Sequence, residues 1–153
     1  MLPYAVTIFL SAFLLFQVQL FLAKYILPWF GGVPAVWTTC MLFFQVLLLG
    51  GYGYAHWLTG VRSLRTQRAI HLALLAASLA VLLGLAAAWG TPLLPDSGWK
   101  PAADESPIPA ILLLLTVSVG LPFFVLSATN PLLQAWFSRA QPNVSPYRLY
   151  ALS

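Results

Sequence analysis

The chain has 153 residues, of which 61% are hydrophobic and only 7% are charged, and its formal net charge is +4. A soluble domain carries roughly 25% charged residues, so this composition excludes a protein whose whole surface faces water. The few basic residues are separated by long apolar segments, which argues against a nucleic-acid-binding protein and indicates an integral membrane protein.

Four segments are long and apolar enough to cross a bilayer, because about 20 helical residues span a hydrocarbon core of ~30 Å. The predicted helices cover residues 4–27, 35–58, 68–89 and 108–127. Pro28 ends the first segment and Gly90-Thr91-Pro92 ends the third, while Pro122 predicts a kink in the fourth. We therefore predict an all-α, polytopic helical bundle that forms one membrane domain over residues 1–153.

The segment after the fourth predicted helix begins with Thr129-Asn130-Pro131, a capping side chain followed by a proline at a first helical position. Residues 131–139 then combine large apolar with polar side chains. This pattern predicts a short amphipathic interfacial helix, or else the end of a kinked fourth helix. The last residues look like the start of another element, so we expect the chain to be the N-terminal part of a longer protein.

The distribution of charge predicts the orientation in the membrane. Five arginines follow the second and fourth predicted helices: Arg62, Arg65, Arg68, Arg139 and Arg148. All three acidic residues lie between the third and fourth helices: Asp96, Asp104 and Glu105. The positive-inside rule therefore places the arginine-bearing segments and both termini in the cytoplasm.

Polar residues within the apolar segments are the candidates for a functional site. Gln17 and Lys24 lie seven residues apart on one face of the first predicted helix, about 10 Å apart along its axis. Turned inward, toward Gln45 and Asn130, they would bind an anionic group or join a proton-linked path. Alternatively, Lys24 extends to the lipid headgroups and Gln17 bonds to a neighbouring helix. The position of Lys24 close to a helix end favours this second interpretation.

Small residues predict where helices pack closely. The third predicted helix carries four of them at four-residue spacing: Ala76, Ala80, Gly84 and Ala88. Gly51 and Ala55 have the same spacing on the second. Residues at this spacing share one helix face and allow another backbone to approach, so we predict packing surfaces and no ligand role for both sets.

No arrangement of residues predicts covalent chemistry. The sequence has no Gly-rich nucleotide loop, no nucleophile elbow, no paired carboxylates and no metal-ligand spacing. His56 and His71 flank the arginine-bearing segment, where the sequence offers no further metal ligand. Interfacial residues are the simpler interpretation of both, with a lipid-headgroup or partner-docking role as the alternative. We expect no catalytic residue, no metal and no cofactor on this chain.

Six runs of residues spread over nearly the whole chain carry a family resemblance. They are Phe16-Gln17-Val18-Gln19, Ala23-Lys24-Tyr25-Ile26-Leu27-Pro28-Trp29-Phe30-Gly31-Gly32, Val36-Trp37-Thr38-Thr39-Cys40, Gly120-Leu121-Pro122-Phe123-Phe124-Val125-Leu126-Ser127, Pro131-Leu132-Leu133-Gln134 and Pro146-Tyr147-Arg148-Leu149-Tyr150-Ala151-Leu152-Ser153. These runs resemble the membrane region of bacterial fused transporter–spermidine synthase-like proteins. In that family, a major-facilitator-like helical region precedes a soluble aminopropyltransferase-like domain.

The resemblance implies a transporter-like module of the bacterial inner membrane that handles polyamines or related small solutes. The alternative is a non-transporting membrane anchor for a cytoplasmic spermidine synthase-like domain. The expected partners are the lipid bilayer, a downstream or associated synthase-like domain and, for a transporter, a small solute; nucleic acid is not expected. The synthase-like domain itself is absent from this sequence, so we expect that the chain alone is not an enzyme.

Overall fold

The computed structural model describes residues 2–31, 33–91, 99 and 107–141. Helices make up nearly all of this part of the chain, which contains no strand. Helix α1 covers Leu2–Ile26, α2 covers Pro34–Thr59, and α3 covers Leu64–Trp89. A fourth continuous span covers Pro107–Ala140, and all four spans are long and apolar enough to cross a membrane. The predicted all-α membrane bundle is confirmed.

Prolines and a glycine shape the turn between the first two helices. After α1, the chain forms a 3-10 turn over Leu27–Phe30, with Pro28 in its first positions. Gly31 then takes a left-handed conformation, with φ at 83°, and donates its backbone N–H to the carbonyl of Leu27. This φ suits a residue without a Cβ atom. Pro34 starts α2, where a missing backbone N–H costs no helical hydrogen bond.

Helix α3 begins four residues before the predicted start at Arg68. Ser63 has an extended backbone, and its Oγ accepts a hydrogen bond from the backbone N–H of Thr66 at 3.3 Å. This cap satisfies one of the free N–H groups of the first helical turn. The prediction followed the apolar run alone and so omitted the polar first turn. At the other end, Gly90 terminates α3 with φ at 74°, as the Gly90-Thr91-Pro92 cluster predicted.

The fourth span has three consecutive parts: α4 over Pro107–Leu115, a π-helical turn over Thr116–Gly120, and α5 over Leu121–Ala140. The predicted separate amphipathic helix over residues 131–139 is wrong, because these residues continue α5. Of the two interpretations, the end of the fourth helix is the one observed. Pro131 lies inside α5, where it removes one helical N–H donor. Tertiary packing holds the helix together there, since Ala128 and Leu132 are fully buried.

The fourth span is the central element of the bundle. In its most apolar part 56% of the residues are buried, against 11% in α3. Helix α5 contacts α1, α2 and α3, and α4 contacts α2. At the end of the bundle that carries Lys24, called the Lys24 end below, Phe44 and Phe123 pack in a core from α1, α2 and the fourth span. At the opposite end a smaller core includes Leu58 and Trp136. The other helices therefore assemble around the last span.

Helices α2 and α5 approach each other closely at Gly51. A Cβ atom at this position would clash with Oγ of Ser127 and would lie 3.1 Å from the backbone nitrogen of Ala128. Ser127 Oγ donates a hydrogen bond to the carbonyl of Phe124 at 2.8 Å. Ala55, one turn further along α2, is buried in the same interface. The packing role predicted for Gly51 and Ala55 agrees with this arrangement.

The small residues of α3 do not pack against another helix of the described chain. All four of them are exposed: Ala76, Ala80, Gly84 and Ala88. Apart from the adjacent residues and backbone of α3 itself, no described atom would lie within 4 Å of a Cβ atom added at Gly84. The buried residues of α3 are Gln67, His71 and Ser78, which lie in its first half. The predicted packing surface is therefore not covered by any of the described residues, because polar contacts near the start of α3 determine which side faces the bundle.

Large apolar side chains cover the outside of the bundle. Phe16 of α1 is 68% exposed, Leu49 of α2 is 72% exposed, and Leu72 of α3 is 63% exposed. Exposed apolar surface of this extent on every outer helix is unfavourable in water. A lipid bilayer removes that cost, so the described part of the chain is suited to a membrane.

Candidate functional site

Helices α1, α2 and α5 enclose a cavity of about 360 Å³. Each helix contributes one amide side chain to its lining: Gln19 from α1, Gln45 from α2 and Asn130 from α5. Four aromatic residues also line it: Phe16, Phe44, Tyr52 and Phe123. We call this space the amide-lined cavity. Gln45 and Tyr52 are exposed, so the cavity is open to its surroundings on the α2 side.

The amides are incompletely paired. Asn130 is only 7% exposed, and its Oδ1 has no hydrogen-bond partner among the described residues. Gln19 Nε2 donates to the sulfur of Met41 at 3.2 Å, and a thioether is a weak acceptor. A buried polar atom without a partner costs about 1–3 kcal/mol. A polar ligand or water in the cavity would recover part of this free energy.

Two of the four predicted site residues line the cavity together. Gln45 and Asn130 do so, whereas Gln17 and Lys24 are exposed and lie outside its lining. The reason is helical geometry, because a helix turns about 100° per residue and Gln17 therefore points away from the side that Gln19 occupies. Lys24 lies in the last turn of α1, as the headgroup interpretation requires.

Sequence reasoning missed Gln19 as a site residue. It shares a face of α1 with three other lining residues, Ala12, Leu15 and Phe16, at the i, i+3, i+4, i+7 spacing. That spacing was available in the sequence. However, α1 is apolar on all sides, so its pattern does not show which face turns inward.

A second polar cluster joins α3 to α5 at the end of the bundle defined by Arg62, Arg65, Arg68 and Arg139, called the arginine end below. Trp136 Nε1 donates to Oε1 of Gln67 at 2.8 Å. The same Gln67 side chain donates from Nε2 to the carbonyl of Val61 at 2.6 Å. Gln67 is fully buried, and both of its polar atoms are bonded. This side chain fixes the loop between α2 and α3 to the centre of the bundle.

His71 extends this cluster into the bundle. Its Nε2 lies 3.2 Å from Oγ1 of Thr129, and that hydroxyl donates to the carbonyl of Val125 at 2.8 Å. A hydroxyl has one hydrogen, so we assign the N–H of the imidazole to Nε2. Nδ1 is buried and lacks a described partner, as does the hydroxyl of Tyr54, whose ring stacks on the imidazole.

No pattern in the sequence indicates that His71 is buried, and the prediction places it at the membrane interface. Its partner Thr129 is 58 residues away along the chain, so only the packing of α3 on α5 brings the two together. His56, by contrast, is exposed near the end of α2, in agreement with an interfacial position.

Comparisons with protein-family models, with curated proteins and with solved structures found no match. The geometry alone therefore defines the class of this chain. Four long apolar helices with a buried last span and almost no charge form a polytopic, all-α membrane bundle.

Proposed function

We propose that this chain is a transporter-like membrane module that binds a small polar solute in the amide-lined cavity. The supporting observation is the convergence of three amides from three helices on one cavity: Gln19, Gln45 and Asn130. A helix that serves only as an anchor needs no such groups, and each costs free energy in an apolar environment. Their presence at one place supports a binding role.

The lining favours certain solutes. None of the described residues that line the cavity carries a charge at neutral pH, and the amides provide both donors and acceptors. A volume of about 360 Å³ lies in the range of small-molecule sites. We therefore propose an uncharged polar solute or a singly charged amine, since aromatic rings attract an ammonium group. A polyamine, the solute class that the family resemblance implies, has several charges that this lining does not balance.

The exposed position of Gln45 on α2 favours a larger assembly. Gln45 lies near the middle of α2 and is exposed, and an amide facing lipid at that depth is unfavourable. Secondary transporters commonly pair two structural repeats around a central site. We propose that further helices cover the open side of the cavity, from a longer protein or from a second copy, and that transport requires them. By the positive-inside rule, the arginine end and both termini lie in the cytoplasm of a bacterium.

Ligand-dependent stability of the purified chain in detergent provides the test. Panels of uncharged polar solutes, monoamines and polyamines would be screened for a rise in melting temperature, because a ligand that binds only the folded state stabilises it. We expect at least one solute to raise the melting temperature of the wild-type chain, and we expect this effect to be lost in Gln19→Ala and Asn130→Ala. Gln17→Ala, which removes an exposed amide of the same helix, is the matched control, and the solute should still raise its melting temperature.

The alternative function is a non-transporting anchor for a synthase-like domain. The apolar core at the Lys24 end favours it, since Leu22, Ile26 and Leu114 are fully buried there. An anchor predicts no solute effect on wild type, and it predicts that Asn130→Leu raises stability by removing an unpaired polar group. Those two results together would replace the transporter proposal with the anchor.

A further inference from the structure

A second concave surface lies between α2 and α5, closer to the arginine end. This groove has a volume of about 210 Å³ and is lined by Tyr52, Ala55, His56, Thr59, Pro131 and Ala135. The residues of α2 recur at i, i+3, i+4 and i+7, and those of α5 at i and i+4, so the groove follows both helix axes. It is separate from the amide-lined cavity except that Tyr52 lines both.

The mouth of the groove lies where both helices end. Helix α2 ends at Thr59 and α5 at Ala140. Across this mouth Arg139 donates from Nη2 to the carbonyl of Thr59 at 2.7 Å. The bond holds the guanidinium between the two helices, and the group has five N–H donors, so others remain for a ligand. His56, about one turn deeper, adds a ring that can donate a hydrogen bond.

The charge around the mouth favours an anion. The arginine end also carries three further exposed arginines: Arg62, Arg65 and Arg68. No acidic residue occurs in the described part of the chain. The inner wall is different, because Ala55, Pro131 and Ala135 are small and apolar and leave space beside the helices. The groove therefore offers hydrogen-bond donors and positive charge at the membrane surface and an apolar channel below it.

We propose that this groove binds an anionic phospholipid. Arg139 and His56 hold the phosphate, and one acyl chain lies along the wall formed by Ala55, Pro131 and Ala135. Basic pockets between membrane helices bind anionic headgroups in this way. A free phosphate ion would use only the mouth, whereas the amphipathic layout matches a lipid. Trp57, next to His56, is exposed in the last turn of α2, as expected of a tryptophan at the membrane interface.

The experiment uses the whole chain, delipidated in mild detergent, with bound lipid counted by native mass spectrometry and stability followed by melting temperature. Phosphatidylglycerol, phosphatidylcholine with the same acyl chains, and inorganic phosphate are the three probes. We expect phosphatidylglycerol to bind and to raise the melting temperature, and the other two probes to do neither. If phosphatidylcholine binds and raises the melting temperature equally, the proposal is overturned. If inorganic phosphate does so, the groove binds a free anion, and the lipid proposal is likewise overturned.

Three variants localise the site. Arg139→Gln should weaken phosphatidylglycerol binding roughly fivefold, the effect of one basic charge near a membrane surface. Ala135→Leu keeps every charge but fills the apolar wall, and it should also reduce lipid binding. Arg65→Gln removes an exposed arginine of the same end outside the groove and should leave binding within about twofold of wild type. If Arg65→Gln weakens binding as much as Arg139→Gln while Ala135→Leu has no effect, the lipid is attracted by diffuse charge and the groove is not its site.

Discussion

Gly51 of α2 lies against Ser127 of α5, so that a Cβ atom added at position 51 would clash with the Ser127 side chain. We predict that Gly51→Ala lowers the free energy of unfolding by about 1–3 kcal/mol, as expected when atoms are forced into a packed core. Gly53→Ala is the matched control, because a Cβ atom there would meet no described atom of a neighbouring helix. Denaturant titration in mixed micelles measures both. Equal stability of the two variants would contradict the close contact.

The contact between Gly51 and Ser127 offers a further check on that prediction. Ser127→Ala removes the Oγ atom that a Cβ atom at position 51 would meet. In the double variant Gly51→Ala/Ser127→Ala, part of the lost stability should therefore return. Residues in contact show such non-additive effects, whereas independent residues do not. If the stability changes of the two single variants simply add in the double variant, the stability lost in Gly51→Ala does not come from its contact with Ser127.

The bond between Trp136 and Gln67 should contribute measurably to stability. Trp136→Phe removes the indole donor and leaves Oε1 of a fully buried Gln67 without it. We expect a loss of about 1–3 kcal/mol from the unpaired atom, in addition to the smaller ring. Trp57→Phe at the same end of the bundle is the control, since Trp57 is 60% exposed. Similar unfolding midpoints for the two variants would show that the buried hydrogen bond contributes little to stability.

The exposed face of α3 predicts tolerance to substitution. Gly84→Leu should not lower the free energy of unfolding by more than the scatter of surface substitutions, roughly 0.5 kcal/mol, since leucine also favours helix over glycine. Light scattering after size-exclusion chromatography would report the oligomeric state of the same sample. A clear loss of stability, or dissociation of an oligomer, would mean that a further helix covers this face.

The arrangement of charge predicts which loops face outward. A cysteine placed at Ser97 should react with a membrane-impermeant reagent in intact cells, and one placed at Ser63 should react only after the cells are opened. Ser97 lies outside the described residues, whereas Ser63 lies between α2 and α3. The native Cys40 is fully buried and gives a low background. The reverse labelling pattern would invert the orientation.

The spans could be predicted from the sequence because their length and apolarity are properties of single segments. Gly51 and Ala55 could also be identified, because small residues at four-residue spacing have a direct geometric meaning. For Ala76, Ala80, Gly84 and Ala88 the same rule indicates a face that no described helix covers, since such a face needs a partner that the sequence does not name.

Prediction from sequence is limited in a similar way for the polar residues. Gln17 and Gln19 are chemically identical and two residues apart, yet only Gln19 lines the cavity. A helix that is apolar on all sides carries no pattern from which its rotation follows. Pro131 is a related case, because a helix start and a helix interior look alike in sequence, and burial of the neighbouring residues decides between them.

The central position of the fourth span has a consequence for biogenesis. Synthesis from the N-terminus inserts α1, α2 and α3 before residues 107–140 exist, although α5 is the helix that all three of them contact. Until then Gln19 and His71 have no α5 beside them, and both are polar groups within apolar helices. Packing of α1, α2 and α3 therefore waits for α5, and a ribosome that stalls before residue 140 leaves these three helices without their common partner.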